Sequence, residues 1–236
     1  MNNKERNRNL AVLLPALILP TISAYLYFVL MRESAFAQAL YIGTKVFTVV
    51  WPFIAIGLIL KCRPMWKSLP LREHLRAVPL GALIGVGIVL IMVLWMHSPL
   101  SWMIERGAPV VREKVATLGF QDHFIAFAIF ISVAHSLIEE VYWRWFAYGR
   151  LREVVTPGMA HVIAAFAFTG HHLVVTSQFF PFPFACFLSF SVGVGGLIWS
   201  HLYQRQGTLA GAWVCHMIVD AGLMWVGWIL INAPIV

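Results

Sequence analysis

Two adjacent glutamates, Glu139 and Glu140, stand inside an apolar run covering residues 130–146. A carboxylate at the centre of a spanning helix costs about 2.5–3.5 kcal/mol even on insertion-derived scales. Two side by side also repel each other. The chemistry open to such a group is proton transfer, because withdrawal from water makes a carboxylate a stronger proton acceptor and suits it to act as a general base. Other ionisable residues share this run or fall in other apolar stretches: His135 and Arg144, then His171 and His172, then His216 and Asp220. Groups of this kind face a bundle interior or a water-filled cavity and find one another there.

Spacing sorts them into pairs. Glu140 and Arg144 are four apart and stack on one helical face, where the guanidinium can neutralise the carboxylate. Glu139 lies about 100° around the helix and is left without a full partner in its own segment. His135 precedes Glu139 by four and shares its face. His216 and Asp220 share a face, as do Phe168 and His172. Three such constellations on three helices can converge on one polar cavity. Several residues keep a second reading. Arg144 could be an interfacial anchor near Arg150, and Lys45 either a functional cation or a snorkelling side chain. His135 reads equally as a site residue or as packing. His171 points away from the face of its neighbour and reads as a core histidine. His97, His123, His161 and His201 fall near helix ends.

The motifs that emerge are Glu139-Glu140-x-x-x-Arg144, Phe168-x-x-x-His172 and His216-x-x-x-Asp220. In this order, in the C-terminal half of a polytopic chain, they resemble the CAAX protease and bacteriocin-processing (CPBP) family of intramembrane endopeptidases. That family includes the Ras-converting CAAX prenyl proteases, which remove a C-terminal tripeptide from prenylated proteins. The resemblance covers roughly residues 120–232. It implies a CAAX-type intramembrane glutamic endopeptidase in which Glu139 activates water and His172 helps to orient or deprotonate it. By the same resemblance, His216 and Asp220 stabilise the oxyanion, and Glu140 with Arg144 forms an orienting ion pair. The last motif position is often Asn, whose amide can donate to an oxyanion. Asp220 donates only when protonated, so holding His216 in one tautomer is the alternative role for it.

Other chemistries use the same residues. Glu139 or Glu140 with His172 and His216 could supply three ligands to Zn²⁺ with an open fourth position, although no H-E-x-x-H signature is present. A non-enzymatic reading is a proton relay in a proton-coupled transporter or a peptide-binding immunity factor. No inverted repeat of the transporter kind is visible.

The elements that must position these residues are membrane helices. Of 236 residues, 60% are hydrophobic and 11% charged, against about 25% charged in soluble domains. Apolar stretches at 9–31, 38–60, 78–97, 123–148, 158–177, 184–203 and 209–232 are long enough to span. The fold class is therefore all-α, a single polytopic bundle of about seven helices with room for an eighth. The catalytic core is expected at 120–232. Residues 178–183 read as an interfacial turn between the fifth and sixth helices. The intervening segment 98–122 reads as an interfacial helix, a lid or a plain loop. The first stretch is too long for a signal-peptide core.

A net charge of +7 is explained by the positive-inside rule rather than by nucleic acid. With the N-terminus cytoplasmic, Lys4, Arg6, Arg8, Lys61, Arg63, Lys67, Arg72, Arg76, Arg150, Arg152 and Arg205 fall inside. Arg32, Arg106, Arg112 and Lys114 fall outside. Cys62, Cys186 and Cys215 form no C-x-x-C pair and indicate neither a zinc knuckle nor a disulfide framework. The partners expected are a protein or peptide substrate and the lipid bilayer. The small size and short loops point to a bacterial inner (plasma) membrane.

Overall fold

The computed structural model describes residues 2–31, 34–62, 69–117 and 119–232. Of the basic residues used to orient the chain, Arg32, Arg63 and Lys67 lie outside them. The described residues form helices without strands, and 7 of the helices are long and apolar enough to cross a membrane: Asn3–Leu30, Phe36–Leu60, Leu71–Met96, Gln121–Leu151, Pro157–Thr176, Phe182–Gln206 and Ala210–Asn232. They are the first to seventh spans below. Helices are the open-ended structure that a bilayer permits, since each satisfies its own backbone.

Two spans start earlier than the apolar runs suggest. The first begins at Asn3 because Asn2 caps it: its side chain accepts from the Glu5 amide at 2.8 Å, while Glu5 accepts from the Asn2 amide at 3.1 Å. This is a capping box. The third begins at Leu71, immediately after Pro70 at the cap position. The charged turn Arg72–Arg76 continues the helix past the apolar core, with Arg76 paired to Glu73 at 2.6 Å. The turn expected between the fifth and sixth spans falls at residues 177–181.

Residues 98–122 are not a plain loop. Short helices at Trp102–Glu105 and Ala108–Thr117 dock on the end of the seventh span. Ala108 is buried against Val226 and Leu230, and Arg112 Nε donates to the Leu230 carbonyl at 3.1 Å. Leu118 lies outside the described residues.

Small residues set the closest helix approach. The third and seventh spans cross where Gly81 meets the Gly211 backbone: a Cβ on Gly81 would stand 2.1 Å from the Gly211 carbonyl oxygen. One turn on, a Cβ on Gly85 would stand 3.0 Å from the Cys215 carbonyl. This is the small-xxx-small logic of membrane helix pairs, where tight van der Waals contact replaces the hydrophobic effect. The crossing places His216, one residue past Cys215, against the centre of the bundle.

The fourth span is the hub. Beyond Glu140, the side chains of Tyr142, Trp143, Arg144, Trp145, Phe146, Ala147 and Tyr148 are all buried. The first span closes on it, with the Tyr142 hydroxyl donating to the Ala16 carbonyl at 2.8 Å. The second is tied to the first by Trp51 Nε1 donating to the Val12 carbonyl at 3.0 Å.

Candidate active site

The backbone of the fourth span is π-wound on both sides of the glutamates, as the backbone also is at the ends of the first and second spans. Phe130–His135 and Val141–Tyr148 are wound as π-helix, flanking a single α turn at Ser136–Glu140. π-winding (i→i+5) is rare and is frequent at functional sites. Serines satisfy carbonyls along the first of these turns: Ser132 Oγ donates to the Ala128 carbonyl at 2.8 Å, and Ser136 Oγ to that of Ser132.

Glu140 and Arg144 are the buried base of the site. Arg144 Nη1 lies 3.2 Å from Glu140 Oε1, with side chains 1% and 0% exposed. That burial rules out an interfacial anchor for Arg144. Its guanidinium sits over the rings of Phe168, 4.6 Å away, and Trp199, 4.9 Å away, which meet at 78°, a cation–π arrangement that suits the planar, weakly hydrated guanidinium. Gly196 leaves the room: a Cβ there would approach Phe168 at 3.2 Å and Arg144 at 3.4 Å.

Glu140 also faces the seventh span, where His216 Nδ1 lies 2.8 Å from its Oε1. A carboxylate can only accept, so His216 carries its proton on Nδ1 and presents Nε2 to the cavity. The Trp199 ring stacks on the imidazole, 14° from parallel with centroids 3.9 Å apart. Holding His216 in one tautomer is the alternative role read for Asp220, because an ionised carboxylate cannot donate. In the structure Glu140 holds the hydrogen-bonding position, and Asp220 Oδ2 lies 3.6 Å from Nε2, on the cavity side.

Glu139 is at the centre. His216 Nε2 is 3.8 Å from its Oε2, His171 Nε2 is 3.7 Å from its Oε1, and His135 Nε2 is 3.8 Å from the same Oε1. These separations exceed a direct hydrogen bond and match what a bridging atom closes. His172 donates from Nδ1 to the Phe168 carbonyl at 2.9 Å, which leaves its Nε2 with a free lone pair. Glu139, His171 and His172 each offer one ligand atom within 4.8 Å of the others.

All six residues singled out by spacing, Glu139, Glu140, Arg144, His172, His216 and Asp220, therefore fall in one polar cluster built by the fourth, fifth and seventh spans. Residues 121–222 match the family described as type II CAAX prenyl endopeptidase Rce1-like. The site-bearing segment is similar to that family. No curated protein and no solved structure matches the chain. The Rce1-like segment holds every one of these six side chains, and its family is one of membrane proteases. The activity it implies is peptide hydrolysis by an integral membrane helical protein, on a protein or peptide substrate.

The Rce1-like site contains residues that spacing passed over. His171 faces Glu139 with its neighbour, their ring centroids 4.0 Å apart, and stacks on Trp143 at 2° from parallel. Neighbouring residues on a helix can both reach a cavity that lies between their two directions. Trp199 is 3% exposed and touches both Arg144 and His216. Lys45 sends its ammonium to His135 Nε2 at 3.0 Å rather than to an interface.

The three-ligand set for zinc also differs from the one that spacing suggested. The ligand atoms that cluster within 4.8 Å belong to Glu139, His171 and His172, with His216 Nε2 beside them, 3.8 Å from Glu139. Two imidazoles and a carboxylate fit Zn²⁺ chemically. The Phe168 carbonyl on His172 Nδ1 is the kind of bond that orients a metal-binding imidazole.

Proposed function

We propose that this chain is an intramembrane endopeptidase that hydrolyses a peptide bond near the C-terminus, or in a membrane-near segment, of a protein or peptide, with Glu139 activating the water. The observation that carries this reading is the position of Glu139, a carboxylate ringed by imidazoles from the fourth, fifth and seventh spans at 3.7–3.8 Å.

In this scheme a water held by Glu139 and His172 Nε2 gives a proton to the Glu139 carboxylate as its oxygen attacks the scissile carbonyl carbon. The tetrahedral oxyanion forms on the side of His216 and Asp220, which donate to it from the doubly protonated imidazolium and the protonated carboxyl. The carbon–nitrogen bond then breaks and the proton passes from Glu139 to the leaving amine, giving one new carboxylate and one new amine. Glu140 and Arg144 touch no reacting atom. They hold His216 and the turn that carries Glu139.

The test is hydrolysis of quenched fluorogenic peptides by the purified protein in detergent. Glu139→Gln and His172→Ala should each lower kcat by about 10²–10⁴, the usual contribution of a general base, with the fold intact. Activity that survives both substitutions would sink the proposal.

A second reading, metal-dependent hydrolysis, rests on the Glu139–His171–His172 cluster. A zinc ion bound there would lower the pKa of its water and polarise the carbonyl. Zinc content of the purified protein, together with activity after chelation, separates the two: stoichiometric zinc required for turnover replaces the metal-free scheme.

A further inference from the structure

Lys45 and Arg144 are both cations deep inside spans, but they are matched differently. Arg144 has Glu140 at 3.2 Å and two aromatic faces. Lys45 has no carboxylate within 4.0 Å among the described residues. Its ammonium contacts the ring nitrogen of His135 at 3.0 Å and lies 5.5 Å from the centre of the Tyr41 ring. A cation in a spanning helix ordinarily pairs with an anion or lines a functional cavity. The ammonium thus has no anion in direct contact among the described residues and stands beside the candidate catalytic group, since His135 Nε2 is in turn 3.8 Å from Glu139 Oε1.

We infer that Lys45, oriented by His135, is the subsite that binds the free C-terminal carboxylate of the substrate. This inference rests on the peptidase reading above and names the substrate feature that the site selects. The geometry limits the leaving fragment. The Lys45 ammonium and Glu139 Oε1 approach the same His135 nitrogen, at 3.0 Å and 3.8 Å, and an extended peptide advances about 3.3 Å per residue. A carboxylate bound at Lys45 therefore places a bond only a few residues from the chain end over Glu139. The site then cuts near a free end because an internal segment brings no carboxylate to the lysine. An ammonium suits the task as a compact charge with three donors. Lys45 touches the product fragment and not the reacting bond, so its effect falls on binding and on the choice of substrate.

The probe is a mixture of N-acetylated apolar octapeptides made twice, as free acids and as carboxamides. Retention is measured on the Glu139→Gln protein in detergent, so that binding is read without turnover. The expected result is about 10- to 100-fold stronger retention of the acids, the size of one charge-assisted hydrogen bond. Lys45→Met, which keeps the aliphatic stem, should abolish this preference, and Lys45→Arg should restore it. Equal retention of acids and carboxamides, retention of neither, or a preference that survives Lys45→Met would overturn the inference. Thermal unfolding of each variant confirms that the fold is intact. A preference that depends on Lys45 in a protein whose unsubstituted form hydrolyses none of the peptides would uphold the carboxylate subsite and overturn the peptidase mechanism instead.

Discussion

His216 turns its Nδ1 to Glu140 at 2.8 Å, which ties the seventh span to the fourth. The same Glu140 oxygen faces Arg144 at 3.2 Å. One carboxylate thus fixes the tautomer of a histidine and balances a buried guanidinium. The two neighbouring glutamates divide the work: Glu140 is fully buried and structural, while Glu139 faces the cavity and its imidazoles.

Removing the charge of Glu140 alone should be severe. Glu140→Gln keeps the shape and still accepts from His216, but it leaves Arg144 buried and unpaired. Breaking a buried pair in this way costs about 3–5 kcal/mol. A marked fall in the thermal unfolding midpoint in detergent is expected, with loss of hydrolysis. The double variant Glu140→Gln/Arg144→Met should recover part of the stability but not the activity, because His216 remains without its anionic partner. Additive losses in the double variant would show that the pair is not coupled.

The crossing of the third and seventh spans supplies a second prediction. Gly81→Ala adds one methyl where the Gly211 carbonyl oxygen stands 2.1 Å from the new atom. Backbone cannot yield as a side-chain tip does, so the helices must separate, at a cost of about 1–3 kcal/mol. Gly87, on the same helix, has nothing within 4 Å of the equivalent position. Gly87→Ala should therefore be neutral in stability and activity, while Gly81→Ala lowers both by shifting His216. The comparison is read from unfolding midpoints and from kcat measured side by side.

Hydropathy made the membrane bundle legible, and i,i+4 spacing made the polar core legible, because both follow from helix geometry that residue types report directly. What stayed hidden depends on backbone detail or on long side chains. Asn2 and Glu5 extend the first span through residues too polar for a hydropathy count. The π-turns around Glu139 change which residues share a face, and no residue type announces an i→i+5 pattern. His171 was assigned to packing from an ideal 100° step. Lys45 was ambiguous because its reach of four methylenes covers both an interface and a neighbouring helix. The docking of residues 108–117 on Val226 and Leu230 required knowledge of where the seventh span ends.

His171 offers a test of that geometry. Its imidazole stacks on Trp143 and places Nε2 3.7 Å from Glu139. His171→Phe keeps an aromatic ring against Trp143 and removes the nitrogen. The expected outcome is an unchanged unfolding midpoint with kcat reduced about tenfold or more, at the lower end of what an oriented polar group contributes near a general base. Unchanged kcat would return His171 to a packing role.

Asp220 gives the last prediction. Its Oδ2 lies 3.6 Å from His216 Nε2, while the Nδ1 side of that ring is already held by Glu140. The tautomer of His216 therefore does not need Asp220, and a contribution at position 220 must be made on the cavity side. An oxyanion needs a donor, which a carboxyl at this position supplies only in its protonated form. Asp220→Asn supplies an amide N–H in nearly the same volume and should hold kcat within about threefold of the parent, or raise it. Asp220→Ala supplies nothing and should lower kcat toward the roughly 10²–10³-fold loss seen when one oxyanion donor is removed. The two variants measured on the same fluorogenic peptide separate the roles. A loss in Asp220→Asn as large as in Asp220→Ala would mean that the charge of Asp220 acts on His216, and would remove position 220 from the oxyanion site.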